Sequence, residues 1–286
     1  MFKNVSRIHF LNTGHSDCII LESNGLFAMI DAAEDTDYPL DKPNLKLPGY
    51  EDVVVKYINE HCKGNDGKIT FEFVLGTHAH SDHIGGFDTV INQPNVFIKK
   101  AYLKPYVEER IIEYERKRWD NLEVYQQMVN ALNNKNIPII QSFDRVCEML
   151  GSFKVVFYNG AYVDLKKKTG ENRNSVITLV EKDGLKAVLA GDMNYSRSGE
   201  KTYAPLLGKV DILKVGHHGY TGSTSSNWLK HLMPQYAIVC NSSKRINPDV
   251  RLKLKTISKS RILCTENENG IIAEFDRDIK IITDIM

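Results

Sequence analysis

Alternating apolar and polar residues near the N-terminus predict a short series of β-strands followed by a helix and another strand. The runs SRIHFL, DCIILES and LFAMIDA are separated by turns that contain Gly and Asn, which is typical of strands. Apolar residues recur at four-residue steps in YEDVVVKYINEHC, so we expect a helix over 50–62. The run KITFEFVLG then predicts a buried strand over 68–76.

The second half of the chain repeats this alternation. Apolar runs of strand length after residue 137 are IPIIQSF, FKVVFYN, SVITLVEK, KAVLAGD, VDILKVG, QYAIVCN, RILCTE and GIIAEFD. Helical stretches lie between some of them, near 197–207, 226–233 and 248–259. Two runs of strands, each with helices after its middle, predict an α/β fold in which two mixed β-sheets pack face to face, a four-layer αββα sandwich. Because no linker is visible, we predict a single domain over 1–286.

Residues 101–136 differ from the rest, because they are charged, rich in aromatic residues and helical in period. Pro105 is suited to open a helix, so we predict an inserted helical hairpin. One interpretation is a solvated cover on the fold, and the other is a lid or a wall of a substrate site. The second gains support from more aromatic residues than a solvated face needs, namely Tyr102, Tyr106, Tyr114, Trp119 and Tyr125.

Composition and charge narrow the function only slightly. Lys and Arg number 37 against 36 Asp and Glu, so the net charge of +1 neither favours nor excludes nucleic acid. Five scattered cysteines without a Cys-x-x-Cys pair indicate reduced, mostly buried thiols. No segment approaches the roughly 20 apolar residues of a membrane span, and the N-terminus lacks the apolar core of a signal peptide. We therefore expect a soluble cytoplasmic protein without membrane contact, and the oligomeric state stays open.

Candidate chemistry is concentrated in the stretch LGTHAHSDHIGGF, residues 75–87. His78 and His80 alternate along an extended segment, so both can face one metal ion. Asp82 and His83 follow a turn and point back toward a neighbouring site. Imidazole and carboxylate ligands suit Zn²⁺, Mn²⁺ or Fe²⁺ better than a thiolate site would.

Two later strand ends have the same form, an apolar strand followed by glycine and then a candidate ligand. In KAVLAGDM the predicted strand ends with Asp192, and in DILKVGHHGYTGS the predicted strand ends with His217 and His218. If the three strand ends converge, they supply the residues of a site for two metal ions.

Together, the motifs HxHxDH, GD and KVGHHG resemble those of the metallo-β-lactamase superfamily. More narrowly, the chain resembles the branch that contains the hydrolase domain of the bacterial DNA-uptake competence channel. LNTGHSDCIILES with FAMIDA is similar to the opening strand, turn and strand of that branch, and CTENENG to its closing turn. NRNSVITLV resembles its Asn-x-x-Ser strand start, at Asn172 and Ser175. The resemblance runs across nearly the whole chain and is weakest near 101–136.

The resemblance implies a metallo-β-lactamase-like fold and two divalent metal ions, zinc by preference or manganese. His78 and His80 would hold the first ion, and Asp82 and His83 the second. Asp192 would bridge both ions.

Either His217 or His218 would complete the second ion's ligands. We favour His217, because it follows the strand directly. His218 would then contact the substrate or a ligand, and would share a catalytic role with Asp82 and Asp192. Asp31, at a strand end, would orient a ligand histidine or cap a turn.

The chain departs from the superfamily pattern between residues 84 and 191, where it has no histidine for the first ion. Asn172 and Ser175 occupy the corresponding region. The first ion would then have fewer protein ligands and exchange readily. Lys214 and Lys244 are candidates for phosphate contacts, although solvated side chains are the better expectation for both.

A site with two metal ions suits in-line attack on a phosphodiester, because charge on the leaving oxygen needs compensation. We therefore predict a metal-dependent hydrolase that acts on phosphodiesters, with nucleic acid as the favoured substrate. One alternative is a hydrolase of phosphocholine esters or other small esters, since the same branch includes phosphorylcholine esterases. Another is a binding or interaction module without catalysis on the same fold.

Overall fold

The computed structural model describes residues 5–36, 48–162, 167–195 and 199–286. Within them, sixteen strands form two sheets. The strands are β1 (Ser6–Phe10), β2 (Cys18–Ser23), β3 (Leu26–Ala32), β4 (Ile69–Gly76), β5 (Val96–Ile98), β6 (Ala101–Leu103), β7 (Ile139–Ile140), β8 (Cys147–Leu150), β9 (Phe153–Tyr158), β10 (Ile177–Lys182), β11 (Leu185–Leu189), β12 (Ile212–Lys214), β13 (Tyr236–Val239), β14 (Arg261–Cys264), β15 (Ile271–Phe275) and β16 (Ile279–Thr283).

Helices lie between many of these strands. The α-helices are α1 (Glu51–His61), α2 (Ser81–Ile84), α3 (Phe87–Asn92), α4 (Glu113–Arg118), α5 (Asn121–Asn134), α6 (Gly199–Leu207), α7 (Ser226–Leu232) and α8 (Pro248–Lys253). A π-helical turn, Leu254–Ser258, continues α8.

Both sheets are mixed. The nine-stranded sheet has the order β16-β15-β1-β2-β3-β4-β6-β7, with β5 also beside β4, and the seven-stranded sheet runs from β14 to β8 in descending order. Strands β1 to β3 pair antiparallel, whereas β3, β4, β6 and β7 pair parallel. Likewise β8 to β11 are antiparallel and β11 to β14 parallel. Neighbouring parallel strands therefore end at the same edge of each sheet, which is where the candidate ligands follow.

Strand β2 shows why the sheets pack into layers. Ile19 and Leu21 lie in the core between the two sheets, whereas Cys18 and Ile20 lie on the outer face under helices. Successive side chains of a strand point to opposite faces, so an all-apolar strand needs a partner layer on both sides. Full burial of each such Ile or Leu stabilises the fold by roughly 1.5–3 kcal/mol.

The outer layers are amphipathic helices. Val54 and Ile58 of α1 and Met128 of α5 pack on the first sheet, and Trp228 and Leu232 of α7 pack on the second. The predicted four-layer αββα arrangement is therefore confirmed.

The predicted start of the helical insert at residue 101 is wrong. Ala101–Leu103 is the strand β6, which pairs in parallel with the end of β4, and Tyr102 is buried between the sheets. Pro105 does not open an α-helix either, since the next helical residues are a 3₁₀ turn, Glu108–Arg110, followed by α4 and α5. The apolar residues 101–103 therefore belong to a strand of the sheet and not to a helix.

Two further predictions concern cysteines and membranes. The five cysteines are free, four of them are buried and Cys147 is exposed, so the prediction of reduced and mostly buried thiols is confirmed. Among the described residues, every helix is too short or too polar to cross a lipid bilayer. The cytoplasmic location stays a prediction.

Candidate metal centre

The candidate ligands meet where β3, β4, β11 and β12 end. Residues 77–83 follow β4, Asp192 follows β11, and His217 and His218 follow β12. The backbone after α2 passes close to the end of β3, and Gly86 permits this because a Cβ there would collide with the carbonyl oxygen of Ala32.

Donor atoms of His83, Asp192 and His218 lie close together at the second predicted ion position, with Asp82 beside His218. The Nε2 atom of His83 lies 3.2 Å from Oδ1 of Asp192 and 3.2 Å from Nε2 of His218. The Nε2 atom of His218 lies 3.2 Å from Oδ2 of Asp82 and 3.5 Å from Oδ1 of Asp192. Tetrahedral ligands at about 2.0–2.2 Å from zinc are separated by roughly 3.4 Å, so His83, Asp192 and His218 have the spacing of ligands to one divalent ion, and Asp82 contacts this set through His218.

A second group lies on the other side of Asp192. The Nε2 atom of His78 is 3.1 Å from Nδ1 of His80, and donor atoms of His78, His80 and Asp192 all lie within 4.8 Å of one another. Asp192 thus belongs to both groups, as a bridging carboxylate would. Both of its carboxylate oxygens are buried without a hydrogen-bond partner among the described residues, so their charge depends on nearby cationic groups or on a bound metal ion.

The turn Gly216–Gly219 separates the two adjacent histidines. His217 and His218 have φ values of 50° and 48°, a left-handed conformation that is strained for both. The side chain of His218 is buried among the donor atoms, whereas that of His217 is 30% exposed with Nε2 4.0 Å from Oδ2 of Asp192. His217 also donates from Nδ1 to the carbonyl of Thr221 at 2.8 Å. The geometry therefore favours His218 over His217 for the second ion, the reverse of our expectation.

Two aspartates stand behind the histidine rings. His83 donates from Nδ1 to Oδ2 of Asp31 at 2.7 Å, and Asp31 also accepts from the backbone and hydroxyl of Thr77. Asp31 is therefore placed where it could orient a candidate ligand, the first of the two roles expected for it. Asp17 lies 3.4 Å from Nδ1 of His218.

Asp17 was missed at the sequence level, although it lies in the GHSD turn of the opening motif. Asp17, His83, Asp192 and His218 form a group of four buried residues that could hold a metal ion. Asp17 approaches the Nδ1 atoms of the two rings, at 3.7 Å and 3.4 Å, whereas Asp192 approaches their Nε2 atoms. Asp17 is thus better placed to orient the rings than to bind the same ion.

Lys214 is fully buried and its ammonium contacts Asp17, so the expectation of a solvated side chain is wrong. Burial alone would raise the pKa of Asp17, but Lys214 and the nearby imidazoles lower it to about 2. Burial would lower the pKa of His83, but Asp192 and other aspartates raise it to about 10. The pKa of His218 is raised against burial for the same reason. Both imidazoles therefore favour the doubly protonated form, and a metal ion would have to displace one of the two ring protons.

Ser175 and Asn172 lie beside the first group. Ser175 accepts from the backbone N–H of Asp192 at 3.0 Å, and its Oγ is 3.3 Å from Nδ1 of His78. Asn172 lines the cavity described next, and its Oδ1 is buried without a hydrogen-bond partner in the part of the chain that the structure describes. Lys244 is exposed and does not line that cavity.

A cavity of about 490 Å³ opens over both groups of donor atoms. Glu115, Trp119 and Asn121 of the insert form one wall, and His217 and Tyr220 form part of another. Of the five aromatic residues named for the second interpretation, Trp119 lines this cavity, and the role of the insert as a wall of a substrate site stays a prediction.

Comparison with known proteins agrees with these observations. No family model matches the chain. Recombination protein 2 of Haemophilus influenzae is 30% identical over 180 residues, and ComE operon protein 3 of Bacillus subtilis is 25% identical over 204 residues. These matches cover 63% and 68% of this chain, but only 18% and 23% of those two proteins. The predicted resemblance is therefore confirmed as a similarity to part of these two proteins.

Solved structures show the fold. The metallo-β-lactamase fold protein YhfI of Bacillus subtilis aligns with a TM-score of 0.58 at 10% identity, over 95% of this chain and 100% of YhfI. A mutant of the β-hydroxylase CmlA aligns with a TM-score of 0.50 at 12% identity, over 91% of this chain and 52% of CmlA. The chain therefore has the metallo-β-lactamase fold.

Proposed function

We propose that the protein is a metal-dependent hydrolase that cleaves phosphodiesters, with nucleic acid as the favoured substrate. The observation that carries the proposal is the convergence of two groups of donor atoms on the shared carboxylate of Asp192, beneath an open cavity. Two divalent ions at these positions, zinc by preference or manganese, would lower the pKa of a water and offset charge on the phosphate oxygens.

The residues of the chain have separate tasks in this reaction. Asp192 and His218 are buried and hold the centre together. Asp82 is 23% exposed and borders the cavity, so its carboxylate can orient the attacking water. His217 faces the cavity, and its Nδ1–H is held by the carbonyl of Thr221, so the ring has a fixed orientation in which Nε2 can contact the substrate.

The rim of the cavity supports nucleic acid within the class of phosphodiesters. Trp119 lines the cavity and is 40% exposed, so a base can stack on it. The adjoining helix α4 carries Arg116, Lys117 and Arg118, with Arg118 4.9 Å from the ring centre of Tyr114. Aromatic and basic side chains in this combination suit single-stranded nucleic acid, because the aromatic rings stack on bases while the basic groups contact phosphates. One of the similar proteins is also named a recombination protein.

A hydrolase of phosphocholine esters or other small esters is the second candidate. The cavity volume of about 490 Å³ favours it, since this is the size that binds small molecules.

The test is hydrolysis by the purified protein with added zinc or manganese. Substrates are bis(p-nitrophenyl) phosphate, single- and double-stranded DNA, and a chromogenic phosphocholine ester. We expect wild type to cleave the phosphodiesters, and His80→Ala and Asp192→Asn to lose at least about two orders of magnitude in rate. Asp276→Asn, at an exposed position, is the matched control.

Each other outcome decides against part of the proposal. Equal rates in wild type and both site variants would rule out catalysis at this centre. Cleavage of the phosphocholine ester alone would favour the small-ester candidate. Tight DNA binding without turnover would favour a binding module.

A further inference from the structure

Glu115 of α4, in the insert, contacts a histidine of the candidate metal centre. Its Oε1 atom lies 2.8 Å from Nε2 of His80, and the residue is only 7% exposed. A carboxylate accepts hydrogen bonds, so Nε2 of His80 carries the hydrogen. The other ring nitrogen, Nδ1, is then the free donor atom, and it is the atom that lies 3.1 Å from Nε2 of His78.

Glu115 is itself held in place by groups from two other segments. Its Oε1 atom accepts from the backbone N–H of Glu171 at 3.0 Å and from Nδ2 of Asn121 at 3.1 Å. Burying a carboxylate is costly, and these donors together with His80 offset the cost. The side chain thus has one orientation, directed at His80.

Glu171, in the neighbouring 3₁₀ turn Glu171–Asn174, holds the backbone between His78 and His80. Its Oε1 atom accepts from the backbone N–H of Ala79 at 3.1 Å, and Oε2 accepts from Asn174 at 2.7 Å. Ala79 is the residue between His78 and His80. The backbone of the first group and the ring of His80 are therefore both fixed from outside the HxHxDH motif.

The two groups of donor atoms obtain their orienting carboxylates from different sources. His83 of the second group is paired with Asp31, which lies at the end of a sheet strand. His80 of the first group is paired with Glu115, which comes from the insert. The first group is also the one without a further histidine between residues 84 and 191.

We propose that Glu115 is a positioning residue for the first metal ion, which fixes the tautomer and orientation of His80 so that Nδ1 binds the ion. The insert thereby completes the first metal position, in addition to forming a wall of the cavity. This inference rests on the metal centre of the proposed function. A carboxylate that orients a histidine ligand typically changes metal affinity by about 10–100-fold.

The experiment is calorimetric titration of the metal-free protein with Mn²⁺ and with Zn²⁺, without substrate. Glu115→Ala should weaken one of the two binding steps by about 10–100-fold and leave the other within about twofold. The isosteric Glu115→Gln, which keeps an accepting oxygen but not the charge, should weaken the same step by a smaller factor. Glu113→Gln, on the same helix but exposed, should leave both steps unchanged.

Asp31→Asn serves as the crossed control, because it should weaken the other step. Equal loss of both steps in Glu115→Ala and Glu115→Gln, or no loss in either, would overturn the role of Glu115 while leaving the metal centre intact. If wild type binds neither ion, the proposed function fails together with this inference. Circular dichroism of each variant establishes that it is folded.

Discussion

Lys214 and Asp17 form a fully buried ion pair directly behind the candidate metal centre. The ammonium of Lys214 contacts the carboxylate of Asp17, lies 3.7 Å from Oδ1 of Asp192 and donates to the carbonyl of Gly191 at 3.0 Å. The centre therefore has a permanent cation beside Asp17, which keeps that carboxylate ionised without a metal ion.

The first prediction concerns this pair. Lys214→Met should destabilise the protein by about 3–5 kcal/mol, because it leaves the buried carboxylate of Asp17 without its partner. The measurement is urea unfolding at neutral pH. Lys99→Met, which breaks an exposed pair with Glu72, should cost less than about 1 kcal/mol. A comparable loss in both variants would contradict the stated role of Lys214.

The second prediction concerns pH. The pKa of His83 is raised to about 10, so the ring is protonated at neutral pH without metal, and an ion must displace that proton. The affinity of the centre for a metal ion should therefore rise with pH up to about 10, by roughly tenfold per pH unit for each proton displaced. Calorimetry in buffers of different ionisation enthalpy measures the protons released. Binding at pH 7.5 without proton release would contradict the prediction.

The third prediction separates His217 from His218. His218→Ala should lose one of two bound ions and at least about 100-fold in rate, because its ring is a donor in the buried group. His217→Ala should keep both ions and alter chiefly the interaction with substrate, since its ring faces the cavity. Metal content by mass spectrometry, with steady-state rates, distinguishes them. Loss of an ion only in His217→Ala would restore our sequence-based preference.

The fourth prediction concerns Trp119. Trp119→Ala should weaken binding of single-stranded DNA by about 1–3 kcal/mol, as expected for loss of one stacked base. It should affect the hydrolysis of bis(p-nitrophenyl) phosphate less, because that substrate makes fewer contacts with the protein than a DNA strand does. Leu122→Ala, exposed on the same insert and away from the cavity lining, is the control. An equal effect on both substrates would contradict a role in nucleic acid binding.

Sequence patterns were sufficient for the layers and for part of the site. The strands of the sheet interiors are apolar on both faces, and the HxHxDH motif follows such a strand, so both were predictable. Strands β8 and β16 were missed, because they lie at sheet edges with half-exposed faces and lack that signal.

The remaining site residues depend on contacts between distant segments. Glu115 reaches His80 across 35 positions, and Lys214 meets Asp17 across almost 200. Neither pair has a local motif. The choice between His217 and His218 depends on a left-handed turn, which the letters GHHG do not reveal.

The central claim is that two divalent ions share the carboxylate of Asp192. Anomalous diffraction from crystals grown with zinc, recorded on both sides of the zinc edge, tests it most directly. We predict two peaks, one within about 2.2 Å of the Nε2 atoms of His83 and His218 and one equally close to His78 Nε2 and His80 Nδ1. Absence of any peak at these atoms, with zinc present in the crystal, would contradict the account.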